Sequence, residues 1–228
     1  MVRLVLFDID GTLIRTGGAG IKAFGKVFQS VFGLADGFER LKFSGRTDLS
    51  VVREFFAFHD IAASQENFSR FFDYYAFWLD HFLTEGHTEV IPGVREMIRG
   101  LRALPRPPTL GLLTGNIQLG AELKLRRGGL WDEFEVGGFA DDAEERDQIA
   151  RVARERGCAL LRETLKPEEV VVIGDTPLDI RCGRAIQAKV VAVATGGAKY
   201  EELTPHSADW TVPDLRHLTA EELVLGKR

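Results

Sequence analysis

The segment Phe7-Asp8-Ile9-Asp10-Gly11-Thr12 ends an apolar run, Val2 to Phe7, with two carboxylates two positions apart and a glycine. Side chains at i and i+2 of a strand point to the same side, so this spacing predicts that Asp8 and Asp10 face one site just past the strand end. An Asp-Gly turn that merely ends a strand would carry the same residues. The pattern recurs later, where the apolar run Val170 to Ile173 leads into Gly174-Asp175-Thr176-Pro177-Leu178-Asp179. In a parallel sheet the C-terminal strand ends share one edge, and ligands bind where the strand order reverses, so the acids of both stretches are expected to meet. Carboxylates gathered that closely repel one another and stay ionised only with a cation among them. Ligation by a few carboxylates and no softer donor suits Mg²⁺, which keeps waters and takes up a substrate phosphate.

A third run, Leu110 to Leu113, ends at Thr114-Gly115-Asn116, which offers a hydroxyl and unhindered backbone N–H groups to the same edge. That composition suits a phosphate oxygen, although a Thr-Gly-Asn turn is also a common loop. A phosphoryl group in transfer further calls for a cation besides the metal. Lys166 precedes Pro167 and the strand beyond it, which places it at the opposite edge of the sheet. Arg146 is the better placed: Asp142 and Glu145 match a capping box, which predicts Arg146 in the first turn of a helix facing the active edge. The competing reading is an ordinary exposed helix arginine, as expected for Arg151 and Arg154.

Five apolar, β-branched runs can hold these groups: Val2 to Phe7, Thr109 to Leu113, Phe134 to Val136, Val170 to Ile173 and Val190 to Ala194. Near-continuous apolar strands mean burial on both faces, and the helical patterns between them, such as Val94 to Leu104 and Asp147 to Arg156, predict a doubly wound α/β parallel sheet. Residues 16 to 90 break the rhythm, with no convincing strand and three amphipathic helical patterns. Phe24, Val27, Phe28, Val31 and Phe32 recur at helical spacing, as do Phe68, Phe71, Phe72, Tyr75, Trp78, Leu79 and Phe82, and Gly86 fits a helix stop. This predicts an inserted helical cap over 16–90 with its own aromatic core, on a catalytic core made of 1–15 and 91–228. Thr16-Gly17-Gly18-Ala19-Gly20 and Pro92-Gly93 bracket the insert as hinges.

The chain has 228 residues, enough for one sizeable domain carrying a smaller one, and its 45% apolar and 28% charged content is that of an ordinary globular protein. The net charge of −5 is mild and the basic residues are dispersed, so neither a nucleic-acid nor a membrane partner is expected. Cys158 and Cys182 lack metal-site spacing and read as buried thiols of a reducing compartment. With no signal-like start and no long apolar run, a cytoplasmic protein acting on a small soluble partner is expected, its oligomeric state unread.

Taken together, these residues resemble the haloacid dehalogenase-like hydrolases along almost the whole chain. Asp8-Ile9-Asp10-Gly11-Thr12, Thr114, Arg146 and Gly174-Asp175-Thr176-Pro177-Leu178-Asp179 look like that family's four motifs in order, with Arg146 standing where a Lys-Pro form is commoner. Residues 16 to 90 look like the helical cap of its phosphoglycolate phosphatase-like branch. The resemblance implies that Asp8 attacks phosphorus while Asp10 protonates the leaving oxygen and then deprotonates water. It also implies Mg²⁺ held by Asp8, the Asp10 carbonyl and Asp175, with Asp179 acting through water, and phosphoryl oxygens held by Thr114, Gly115, Asn116 and Arg146. Asp10 speaks against the halide-removing members, whose leaving group needs no proton. In the cap, the likeness turns Phe43-Ser44-Gly45-Arg46-Thr47-Asp48 toward the site, where Arg46 would pair with a substrate carboxylate such as that of 2-phosphoglycolate; a surface loop joining two helices is the plainer reading. The expected activity is Mg²⁺-dependent hydrolysis of a small phosphorylated metabolite. A phosphosugar mutase, a dehalogenase and a non-catalytic module on the same fold stay open as alternatives.

Overall fold

The computed structural model describes residues 1–226. Strand β1 (Leu4–Phe7) is followed by a short β2 (Ile14–Arg15) and then by three helices, α1 (Ala19–Phe32), α2 (Asp48–Phe58) and α3 (Gln65–Glu85). A second short strand, β3 (Glu89–Val90), leads to α4 (Val94–Ala103), β4 (Thr109–Leu113), α5 (Gln118–Gly128), β5 (Val136–Gly138) and α6 (Arg146–Leu161). The chain closes with β6 (Val170–Gly174), α7 (Pro177–Ala185), β7 (Lys189–Val193), α8 (Tyr200–Leu203), β8 (Trp210–Val212) and α9 (Ala220–Leu225). Six strands form one parallel sheet in the order β5-β4-β1-β6-β7-β8.

Alternation along the central strands divides the core in two. Val5, Phe7, Leu110, Leu112, Val171 and Ile173 pack with apolar residues of α4, α5 and α9, whereas Leu4, Leu6, Val170 and Val172 pack with α6 and α7. At about 1.5–3 kcal/mol for each fully buried Val, Leu, Ile or Phe, this double burial fixes the register that the site depends on. The helices α1 to α3 form an insertion built on aromatic packing: Phe28 stacks on Phe55, and Phe24 meets Phe71 and Tyr75 edge to face. Ile117 and Ala140 of the sheet domain complete that cluster, so the cap rests on the core through apolar contact. Gly86 ends α3 as the sequence predicts.

Four details differ from the sequence reading. The 16–90 segment does contain strand, because Glu89–Val90 pairs antiparallel with Ile14–Arg15 where the insertion leaves and rejoins the core; two residues carry no periodicity to read. Strand β5 lies at Val136–Gly138 rather than Phe134–Val136, and its glycines hide it: a Cβ on Gly138 would stand 2.5 Å from the Ile149 carbonyl, so α6 packs directly on the bare backbone. The three-residue β8 is the sixth strand, absent from the five predicted runs. The Asp142 capping box does not form. Helix α6 starts from Glu145 with no side-chain cap, and the Asp142 carboxylate instead accepts from the Phe139 N–H and pairs with Arg156. Among the described residues no helix is long and apolar enough to cross a membrane.

Candidate active site

Register places the chemistry. Phe7 lies level with Leu112 on one side and Ile173 on the other, so Asp8, Thr114 and Asp175 leave the sheet at one edge. The order reverses at β1, with β4 and β5 on one side and β6 to β8 on the other, which makes this edge the expected ligand crevice. The Asp8 N–H donates to the Ile173 carbonyl at 2.9 Å, tying the first acidic turn to the second. Gly11 then turns the chain at φ +88°, and a Cβ there would stand 2.7 Å from Asp175 Oδ2, so both the backbone angle and the space call for glycine. Asp179 is fixed by a reciprocal cap at the start of α7, its Oδ2 accepting from the Thr176 N–H at 2.9 Å and from the Thr176 hydroxyl at 2.6 Å.

Asp8, Asp175 and Asp179 are all buried, at 7%, 1% and 1% exposure, and each offers an oxygen within 4.8 Å of the others. Arg146, the first residue of α6, enters this cluster, where its guanidinium contacts Asp179 and stands 3.6 Å from Asp8 Oδ1. Burial, followed by the charge of Asp179, pushes the Asp8 carboxyl well above its ordinary range. The same two causes push Asp175 to about 7, against the Gly197 N–H and Thr12 hydroxyl that it accepts. Burial alone would discourage the Arg146 charge, but Asp179 and Asp8 reverse that and hold it positive. One guanidinium for three buried carboxylates leaves a local negative excess, and Arg146 Nε is buried without a hydrogen-bond partner. Such a donor set, all carboxylate oxygen and short of positive charge, fits a hard divalent cation. Both Asp179 oxygens are taken, by Thr176 and by Arg146.

Asp10 lies on the solvent side of the same turn, its side chain 43% exposed. Its Oδ2 accepts from Lys124 Nζ at 2.6 Å and from Asn116 Nδ2 at 2.8 Å, and Lys124 also donates to Asn116 Oδ1 at 2.6 Å. Sequence reading did not single out Lys124. The signal was present, since Ala121, Lys124, Leu125 and Gly128 fall on one buried face of α5, and a lysine there requires a partner. The Thr114 hydroxyl accepts from Asn116 Nδ2 at 2.8 Å, so the Thr114-Gly115-Asn116 turn is knitted to Asp10.

The cap docks on that turn. A Cβ on Gly115 would stand 2.2 Å from the Arg46 carbonyl, the Asp48 N–H donates to the Gly115 carbonyl at 2.7 Å, and the Ile117 N–H donates to Asp48 Oδ2 at 2.9 Å. Burial raises the Asp48 carboxyl to about 7, against the pull of Lys124 and the Ile117 amide, with Asp10 adding repulsion. Arg46 stands on this docked loop with its guanidinium on Glu54 and on the Ser50 carbonyl at 2.9 Å. Asp8, Asp10, Thr114, Gly115, Asn116, Arg146 and Asp175 line one cavity of about 580 Å³ together with Arg46, Asp48 and Tyr75 of the cap. Asp179 lies behind that lining, linked to it through Arg146.

The family model of haloacid dehalogenase-like hydrolases matches residues 5–193, a span that takes in both acidic turns and the whole helical insertion. The chain is a haloacid dehalogenase-like hydrolase. Among curated relatives of this hydrolase, the bifunctional riboflavin kinase/FMN phosphatase of Arabidopsis thaliana is 25% identical over 191 residues, 83% of this chain and 48% of that protein. The phosphoglycolate phosphatase of Chromobacterium violaceum is 30% identical over 132 residues, 58% of this chain and 56% of that one. The chain thus spans about half the length of these relatives. The fold is shared with the β-phosphoglucomutase of Clostridium difficile, with a TM-score of 0.75 at 18% identity, covering 98% of this chain and 96% of that one. It is shared equally with CbbY of Rhodobacter sphaeroides in complex with phosphate, with a TM-score of 0.74 at 20% identity over 97% and 96% of the two chains. In this hydrolase the stretch from Asp8 to Thr12 follows β1, and that from Gly174 to Asp179 runs from the last residue of β6 into the first turn of α7.

Proposed function

We propose that this hydrolase is a Mg²⁺-dependent phosphatase of small phosphate monoesters, with Asp8 as covalent nucleophile. The observation that carries the reading is the position of Asp8. It belongs to the buried acid cluster yet lines the cavity, with Arg146 beside it and Asp10 two residues on. In this reading Asp8, the Asp10 backbone carbonyl and Asp175 hold the cation, with Asp179 helping through water. When bound, the ion offsets the charge that would otherwise keep an anionic ester away from these carboxylates.

The chain's own residues do the rest. An Asp8 carboxylate oxygen attacks phosphorus, and the bond from phosphorus to the ester oxygen breaks as Asp10 gives that oxygen a proton. Asp10 next takes a proton from the water that attacks the phosphorus of the aspartyl-phosphate, releasing inorganic phosphate and the free Asp8 carboxylate. The Thr114 hydroxyl, the Gly115 and Asn116 backbone amides and Arg146 hold the phosphoryl oxygens, and the fixed charge of Arg146 opposes the charge gathering on them. Residues 16–90 close over the core formed by 1–15 and 91–228, excluding water and reading the non-phosphate part of the substrate. The name of the Chromobacterium relative supports phosphoglycolate as one such substrate, and Arg46 on the docked loop is the group to meet its carboxylate, exchanging Glu54 for the ligand.

A panel of small phosphate esters assayed for free phosphate tests the activity, and a mutase would return a phosphate isomer instead. Selectivity is tested by two arginine variants. Arg46→Ala should lower kcat/KM for phosphoglycolate by about tenfold or more while leaving an aryl phosphate nearly unchanged, since only the former offers a carboxylate for a bidentate pair. Arg146→Ala should lower both by a similar factor of about a hundred or more, because it removes charge stabilisation common to every phosphoryl transfer. Equal losses for Arg46→Ala on the two esters would remove Arg46 from substrate choice.

A further inference from the structure

We propose that Lys124 is a positioning residue that aims the Asp10 carboxyl at the leaving group, an inference that rests on the phosphatase reading above. Lys124 is almost wholly buried, at 4% exposure, on the buried face of α5. Its two hydrogen-bonded partners, Asp10 Oδ2 and Asn116 Oδ1, are both at 2.6 Å, and Asn116 Nδ2 donates to the same Asp10 oxygen at 2.8 Å. The three side chains close a triangle. Helix α1 roofs it, for a Cβ on Gly20 would stand only 3.5 Å from Lys124 Nζ.

Burying an ammonium is costly, and although Asn116 and Asp48 also face it, its closest carboxylate partner is 43% exposed and already well served by water. The triangle does restrict Asp10. Asp10 follows the β1 edge at a turn whose backbone is fixed by Gly11, while its half-exposed side chain would otherwise sample several rotamers. A general acid must lie within about 2.6–3.2 Å of the oxygen it protonates, and a misplacement of about 1 Å can cost roughly a hundredfold in rate. Lys124 and Asn116 both donate to Oδ2, which assigns proton transfer to Oδ1: in the first step the Oδ1 proton passes to the departing ester oxygen as the phosphorus–oxygen bond breaks. An ammonium bonded to Oδ2 holds the carboxyl in place whether Oδ1 carries its proton or not.

The role predicts a dependence on the leaving group that a merely structural lysine would not produce. An alkyl phosphate such as glycerol 2-phosphate must have its leaving oxygen protonated, whereas 2,4-dinitrophenyl phosphate loses a stable phenolate without help. Wild type, Lys124→Met and Lys124→Arg are compared by kcat/KM at saturating Mg²⁺, because that ratio covers the step up to transfer onto Asp8 and excludes breakdown of the aspartyl-phosphate. Lys124→Met should lose about a hundredfold on the alkyl ester and less than about threefold on the dinitrophenyl ester, and Lys124→Arg should recover part of the alkyl rate. Lys124→Gln, which keeps an N–H for Asp10, is measured alongside so that poor folding of one variant does not end the test, and thermal midpoints are recorded for all. Equal losses on the two esters in the folded variants overturn the proposal while leaving the phosphatase reading intact. A wild-type protein that hydrolyses neither ester overturns that reading instead, and the proposal with it.

Discussion

Asp8→Asn is expected to abolish phosphate release to within assay limits, a fall of at least about a thousandfold, without loss of the fold. The amide keeps the size of the side chain but has no charge with which to attack phosphorus. Stability should hold or rise, because the substitution removes an acid whose ionisation burial and Asp179 already oppose. Initial rates on an aryl phosphate, with a thermal scan of the same mass-verified sample, check both halves of this expectation. Near-wild-type turnover would mean that another group, or water, makes the first attack.

The second large effect is that of the metal. Chelation should reduce the rate to background and added Mg²⁺ should restore it, and Asp175→Ala should raise the Mg²⁺ requirement steeply or abolish turnover. The pH dependence follows from Asp175, whose carboxyl is raised to about 7 by burial and Asp179. A folded-state value above the unfolded one means that its contribution to metal-free stability is present at acid pH and is lost as pH rises through about 7. Mg²⁺ binds only the ionised form, so below that pH it must first displace a proton. The rise in thermal midpoint on adding Mg²⁺ should therefore be larger at pH 8 than at pH 6. A shift of equal size at both pH values would show that Asp175 does not take part in binding, and full activity in the presence of chelator would remove the metal from the account.

Much of this site is legible in the sequence because its acids stand at the ends of doubly buried strands. Val2 to Phe7 and Val170 to Ile173 can only be interior parallel strands, and parallel strands deliver Asp8 and Asp175 to the same edge. The reciprocal cap between Thr176 and Asp179 at the start of α7 is added by the structure. Arg146 opens α6 beside Asp8, but not through the predicted capping box, since Asp142 bonds Phe139 and Arg156 instead and those tertiary partners are not visible in a local motif. Strand β5 escaped its true bounds because Gly137 and Gly138 show no side-chain pattern; the bare Gly138 lets α6 approach, and Gly137 leaves room for the Phe139 ring. Lys124 is one basic residue among several in a helix that also carries Arg126 and Arg127, and only its place on the buried face with Ala121 and Leu125 sets it apart. The loop from Phe43 to Asp48 docks on the Gly115 turn in the structure, but the partners of Arg46, Glu54 and the Ser50 carbonyl, carry no signal in the sequence that ties them to it.

The account turns on a covalent bond between Asp8 and phosphorus, and that bond can be trapped. Enzyme mixed with excess substrate and Mg²⁺, quenched in acid within one turnover and reduced with borohydride, should contain homoserine in place of Asp8 when its peptides are read by mass spectrometry, because borohydride reduces an acyl phosphate and spares a free carboxylate. Conversion at Asp8 that requires both substrate and Mg²⁺ is the predicted result. Unmodified Asp8 in enzyme that is visibly releasing phosphate, or phosphate carried on Thr114 instead, would contradict it.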